Sequence, residues 1–149
     1  VAFRGSFYHT IDAKGRVIIP AKFREGIEAS GSSDLVLTQF DGGVRVYPLD
    51  GWKEIEQKID SIQETGIGIR RFRRFFIGNA FESSFDRQGR LLIPNKLKQY
   101  ADLERDVILI GQLKHFEIWS KEKYELEETL LMEDMQNEEV LKGIAQLQL

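Results

Sequence analysis

The residue types best suited to specific polar chemistry fall in two matched segments, Asp12-Ala-Lys-Gly-Arg16 and Asp86-Arg-Gln-Gly-Arg90, separated by an offset of 74. An aspartate four residues before an arginine, with glycine in between, puts a carboxylate and a guanidinium at the base of one tight turn. Arginine carries five N–H donors in a planar fork, and a neighbouring carboxylate can hold that fork in one rotamer. Taken as a staple, each pair contributes at most about 1 kcal/mol if exposed. Taken as a presenting device, the same pair makes a stiff tip bearing Lys14 and Arg16, or Arg87 and Arg90. Such a tip fits a DNA major groove, which admits a two-stranded ribbon and offers guanine two acceptors for one arginine. The two readings are compatible.

Other chemistry finds little support. The chain has no cysteine, so thiolate nucleophiles, thiolate zinc sites and disulfides are excluded. His9 and His115 are far apart in the sequence and read as structural residues. Glu127-Glu128 and Glu138-Glu139 are sequence neighbours that face different parts of a helix surface, so they read as solvated charge. There is no glycine-rich phosphate loop and no serine in a nucleophile elbow. No catalytic residue, metal site or cofactor is expected.

Net charge is −3, which by itself argues against a phosphate-rich partner. Its distribution matters more. Residues 1–24 carry +4, residues 70–98 carry +6, and residues 120–149 carry −5. Screening over about 8 Å at physiological salt lets each patch act locally. Arg4, Lys22, Arg24 and Arg87 are further basic candidates around the two motifs. In the densest stretch, Arg70-Arg-Phe-Arg-Arg-Phe-Phe76, the spacing of Phe72, Phe75 and Phe76 predicts a helix with those rings inward. Its arginines are then expected to meet acidic neighbours or the acidic helices of another subunit more often than DNA. The opening residues, Val1-Ala-Phe-Arg-Gly-Ser, lack the apolar core of a signal peptide, and no stretch of roughly 18 apolar residues occurs, so a cytoplasmic, non-membrane protein is expected.

The elements around the motifs repeat with them. Asp12 to Phe23 matches Asp86 to Leu97, Leu35–Thr38 aligns with Val107–Ile110 at an offset of 72, and Val44–Tyr47 aligns with Phe116–Trp119. Trp52 and Tyr124 keep that register. Phe7–Ile11 with Val17–Ile19, and Phe81–Phe85 with Leu91–Ile93, read as strands joined by the Asp-x-x-Gly-Arg turns as hairpins. Pro20 and Pro94 then open short helices over Ala21–Ile27 and Asn95–Ala101. A second hairpin crosses Asp41-Gly-Gly43, and Trp52, Ile55, Ile59 and Ile62 predict a longer helix. The expected organisation is α+β, with a first half over residues 1–66, a second over 67–131, a shared core, and an acidic amphipathic helix over 132–149.

The sequence Phe3-Arg-Gly5 to Pro20, its repetition from Asp86 to Pro94, and Phe116-Glu-Ile-Trp119 together resemble the MraZ family of bacterial proteins over nearly the whole chain. The resemblance implies two tandem AbrB-like swapped-hairpin halves forming a small double-split β-barrel with flanking helices. It also implies a ring-shaped homo-oligomer that binds direct repeats in double-stranded DNA upstream of its own operon, in the division and cell-wall gene cluster. Such a protein would be a nucleoid-associated transcriptional regulator. Carried over by motif position, Asp12, Lys14 and Arg16 would contact DNA, with Asp86 and Arg90 as their second-copy counterparts. Arg87 and Gln88 stand where the first copy has Ala13 and Lys14, so the two copies are not expected to contact DNA equivalently. The alternative is a ring protein whose hairpins serve assembly alone.

Overall fold

The computed structural model describes residues 2–63 and 66–149. Val1, where the expected first half begins, and Glu64 and Thr65 near its end lie outside the described residues. The first copy runs β1 (Ser6–Thr10), β2 (Arg16–Ile18), α1 (Ala21–Glu28), β3 (Asp34–Phe40), β4 (Gly43–Pro48), α2 (Leu49–Asp60) and α3 (Ile67–Phe76). The second repeats the series as β5 (Phe81–Ser84), β6 (Arg90–Leu92), α4 (Asn95–Tyr100), β7 (Asp106–Gly111), β8 (Phe116–Ser120), α5 (Lys121–Asp134) and α6 (Glu138–Gln146). The fold is α+β. Pro20 and Pro94 cap α1 and α4, within a residue of the bounds the sequence predicts. The β3–β4 hairpin turns through Asp41 and Gly42, both at positive φ, which matches the right-handed twist of the paired strands.

The Asp-x-x-Gly-Arg turns close as expected, but the strands on either side of them do not form hairpins. Only an isolated bridge links Ile11 to Val17. β1 instead runs antiparallel to β7, β5 to β3, and β2 to β6. Three-residue strands supply too few ladder bonds to stand as a hairpin. Paired with each other, they bury Val17 and Leu91 completely, directly opposite one another. The register is symmetric about that pair: Arg16 faces Leu92 and Ile18 faces Arg90. The expected barrel is not closed. The larger sheet has the order β1-β7-β8-β4-β3-β5, with free edges at β1 and β5, and β2–β6 remains a separate ribbon.

One core fills the space between sheet and ribbon, drawing on both copies. Phe3, Phe23 and Phe116 meet at ring-centroid distances of 4.8 to 5.5 Å, and Ile19, Ile27, Leu91, Leu97 and Leu109 pack around them. The other face of the sheet is covered unevenly. Over β3–β4, α2 and α3 enclose Val36, Tyr47, Trp52 and Phe76, with Phe72 and Phe75 partly buried beside them. Over β7–β8, α5 contributes only Tyr124 to Ile108, Ile110 and Trp119. Helix α2 ends before Ile62, which the periodicity had assigned to it and which is exposed. Among the described residues, no helix is long and apolar enough to cross a membrane.

The two copies also meet where β4 pairs with β8, again symmetrically, with Arg45 opposite Glu117 at the centre. Here the repeat carries opposite charges, at Nε to Oε2 3.7 Å. Burial acts to raise the Glu117 pKa, but hydrogen bonds from His115 and Trp119 and the charge of Arg45 hold it below the ordinary glutamate value. A chain whose core closes only by pairing its two copies is sensitive at the pairing point. Leu91→Ala is expected to lower unfolding free energy by about 2–5 kcal/mol, the range for a large-to-small change in a packed core. Urea denaturation measures this, and a loss below about 1 kcal/mol would contradict a core sealed by the β2–β6 pair.

Candidate nucleic-acid interface

Each turn is built around its aspartate. Asp12 Oδ1 accepts from the backbone N–H of Lys14 and of Arg16, both at 2.9 Å, while Oδ2 accepts from Arg16 Nε at 2.7 Å. In the second turn Asp86 Oδ1 accepts from the Gln88 and Arg90 amides at 2.9 Å, and Oδ2 accepts from Arg90 Nε at 2.8 Å. Gly15 and Gly89 sit at φ of 86° and 75°, the left-handed conformation that closes a type I turn onto a strand. The staple predicted from spacing is therefore present twice, with the same geometry. The backbone N–H of the arginine, above all, holds each aspartate below its ordinary pKa, and the guanidinium and the amide two residues on act in the same direction.

The staple uses one donor of each guanidinium. Nε is engaged, and among the described residues neither Arg16 nor Arg90 has a further side-chain partner at its Nη groups. The pair is thus a clamp that fixes the arginine through Nε and leaves the four N–H donors of its Nη groups without a side-chain partner among the described residues. The turns are also fixed to one another. Gly89 C=O accepts from the Ile19 amide at 2.9 Å, and Gly15 C=O accepts from the Ile93 amide at 2.8 Å. Neither turn can shift without disturbing the other copy's strand.

Strand alternation completes the surface. Val17 and Leu91 point into the core, so Arg16, Ile18, Arg90 and Leu92 share the outer face of the ribbon. Ile18 and Leu92 are 50% and 54% exposed, unusual for aliphatic residues in the middle of paired strands. The repeated motif does not single out these two residues; alternation around the inward Val17 is the sequence signal that places them outward. Lys14, Arg87 and Gln88 are exposed at the turn tips. Arg24 lies against the second turn: its Nε donates to Ile19 C=O at 3.1 Å, and a Cβ on Gly89 would come within 2.6 Å of its guanidinium. Lys22 is exposed on the first turn of α1. Arg4 is not part of this group, since its backbone packs against Gly111 at the β7–β8 end of the sheet. Arg70 to Arg74 lie on α3, across the larger sheet from the ribbon, with Arg73 reaching Asp60 at 3.2 Å.

His115 Nε2 lies 3.4 Å from Glu117 Oε2, and its ring packs 4.9 Å from that of Tyr47. Among the described residues, no three His, Cys, Asp or Glu side chains are grouped to hold a metal ion.

Fold and surface together define a duplicated α+β protein whose paired copies present two clamped arginines on one ribbon. The family model described as "MraZ protein, putative antitoxin-like" matches the chain twice, over residues 2–75 and 76–141. Proteins named Transcriptional regulator MraZ from Desulforapulum autotrophicum and Desulfosudis oleivorans are 45% and 47% identical to it, each over 97% of this chain and 98% of the relative. One of the same name from Caldanaerobacter subterraneus is 48% identical over 81% of this chain and 82% of its own. The chain belongs to the MraZ family.

The clamp has a pH signature. A carboxylate whose folded pKa is depressed adds stability that is present above its unfolded pKa, about 3.9, and is lost as pH falls through the folded value. The thermal midpoint is therefore expected to drop as pH falls below about 4, and to drop less steeply in Asp12→Asn/Asp86→Asn. An identical pH slope in the double variant would show that the clamps carry no net stability.

Proposed function

We propose that this protein is a non-enzymatic transcriptional regulator that binds double-stranded DNA through the outer face of the β2–β6 ribbon and its two turns. The observation that carries the reading is the clamp: each guanidinium is held by Nε on a backbone tied to the opposite copy, with no further side-chain partner at its Nη groups among the described residues. Such preorganisation suits bidentate contact with guanine O6 and N7, which discriminates against a wrong base by about 1–3 kcal/mol. In this reading Asp12 and Asp86 position the arginines. Lys14, Arg87 and Arg24 add phosphate contacts, and Lys22 extends them along α1. The names of its relatives support the regulatory role.

A net charge of −3 makes a single ribbon a weak ligand, and a ring of subunits on direct repeats offsets that weakness. Once one ribbon is bound, later contacts are intramolecular, and avidity gains about 10²–10⁴ without new contacts. Spaced direct repeats suit head-to-tail interfaces, whereas a two-fold dimer suits a palindrome. The proposed targets are such repeats upstream of the protein's own operon, in the division and cell-wall gene cluster, engaged on the nucleoid in the cytoplasm.

Arg16→Ala is expected to abolish preference for the upstream DNA over a scrambled duplex while leaving thermal unfolding and assembly nearly unchanged. Arg90→Ala should weaken binding less, since the second turn has Gln88 in place of Lys14. Titration of labelled duplex at several salt concentrations measures both. Retained preference in Arg16→Ala, or a large fall in its thermal midpoint, would favour the purely structural role of the pair.

A further inference from the structure

The 72-residue offset that aligns the copies also aligns α3 with residues 139–148, so α6 is the positional counterpart of α3. The two helices behave differently. α3 folds back over its sheet, where Thr38 Oγ1 donates to Phe76 C=O at 2.6 Å and Gln39 Nε2 donates to Phe75 C=O at 3.2 Å. In the second copy, Thr38 and Gln39 become Ile110 and Gly111, which have no side-chain donor, and Phe72 and Phe75 become Ile144 and Leu147. Neither α6 nor α5 has a buried residue.

The tail is left with an apolar surface and a strong charge. Leu126, Leu130, Leu131, Met132 and Leu141 are exposed on helices where acidic residues outnumber basic ones by eight to three. Two such tails packed on each other would bring net charges of −5 together. The opposite combination lies on the far half of the sheet. Exposed Ile67 and Ile69 accompany Arg70, Arg71, Arg73 and Arg74 on α3, which contains no acidic residue. Beside it, an open groove of about 400 Å³ runs between α2 and α3, lined by Ile59 and Ile77 and by both signs of charge, Lys53 and Arg73 with Glu56 and Asp60. α5 sits over β7–β8 and α3 over β3, so the two surfaces occupy different parts of one molecule.

We propose that the α5–α6 tail of one subunit docks on the α3 face of a second subunit, with its exposed apolar residues, gathered on one side of α6 and spread around α5, against Ile67 and Ile69 and its acidic residues against the arginines. Different surfaces on the two partners make the contact heterologous, the kind that propagates into a ring. The inference deepens the self-assembly stated above and rests on it.

The test is charge exchange in the full chain, read as mass by sedimentation and light scattering across a dilution series. Arg71→Glu/Arg74→Glu is expected to raise the concentration for half-assembly at least about tenfold, a loss of about 1.4 kcal/mol per contact. Glu127→Arg/Glu128→Arg should do the same, and mixing the two variants should restore assembly, because each then offers a complement to the other. Leu131→Ser should also weaken assembly. All these side chains are exposed, and circular dichroism checks that each variant keeps its fold. Assembly unaffected by Arg71→Glu/Arg74→Glu, or lost in Leu131→Ser but untouched by both charge reversals, would overturn this docking while leaving self-assembly intact. A monomeric wild-type chain would overturn both.

Discussion

Neither copy of the repeat can complete its own sheet, and most of the architecture follows from that constraint. β2 and β6 have three residues each, and the strands that precede them are given away to the opposite copy. A ribbon of this length survives because Val17 and Leu91 seal a core to which both copies contribute and because each turn glycine accepts the other copy's isoleucine amide. Rigidity at the ribbon is thus a property of the whole domain. The proposed DNA-binding surface gains from this, since displacing either turn disturbs the packing of both copies.

Duplication within one chain also allows the copies to differ where a symmetric dimer could not. At the centre of β4–β8, equivalent positions carry Arg45 and Glu117; two identical copies would face like charges there. The pairing of first copy with second is therefore specified by charge as well as by connection. The same freedom lets Lys14 become Gln88 at the turn tips, and lets α3 cover its sheet while α6 does not. The last two departures fall at the surfaces where partners are proposed, whereas the first lies within the sheet between the copies.

Much of this was legible in the sequence because local chemistry determined it. The turn glycines, the aspartates bonding two residues ahead, the helix-opening prolines and the inward face of Phe72, Phe75 and Phe76 all follow from interactions within a few residues. Strand partners did not. Alternation marks a strand and its inner face but not which strand lies beside it, so the spacing predicts a β1–β2 hairpin where β1 pairs with β7 and β2 with β6. Nor does the local pattern say whether a three-residue ribbon closes a barrel with the sheet or stays apart from it, as β2–β6 does. The helical spacing of apolar residues continues to Ile62, whereas α2 ends at Asp60 with Ser61 as its C-cap.

The central claim is that clamped guanidinium groups meet DNA with their outer edges while the aspartates keep the inner edges. Nitrogen-resolved NMR of the arginine side chains, with duplex from the protein's own upstream region added to saturation, tests this directly. The account predicts that the Nη signals of Arg16 and Arg90 shift and slow in exchange, while their Nε–H signals stay in the carboxylate-bonded position. Saturating binding with both sets of Nη signals unchanged, or with the changes confined to the arginines of α3, would contradict it.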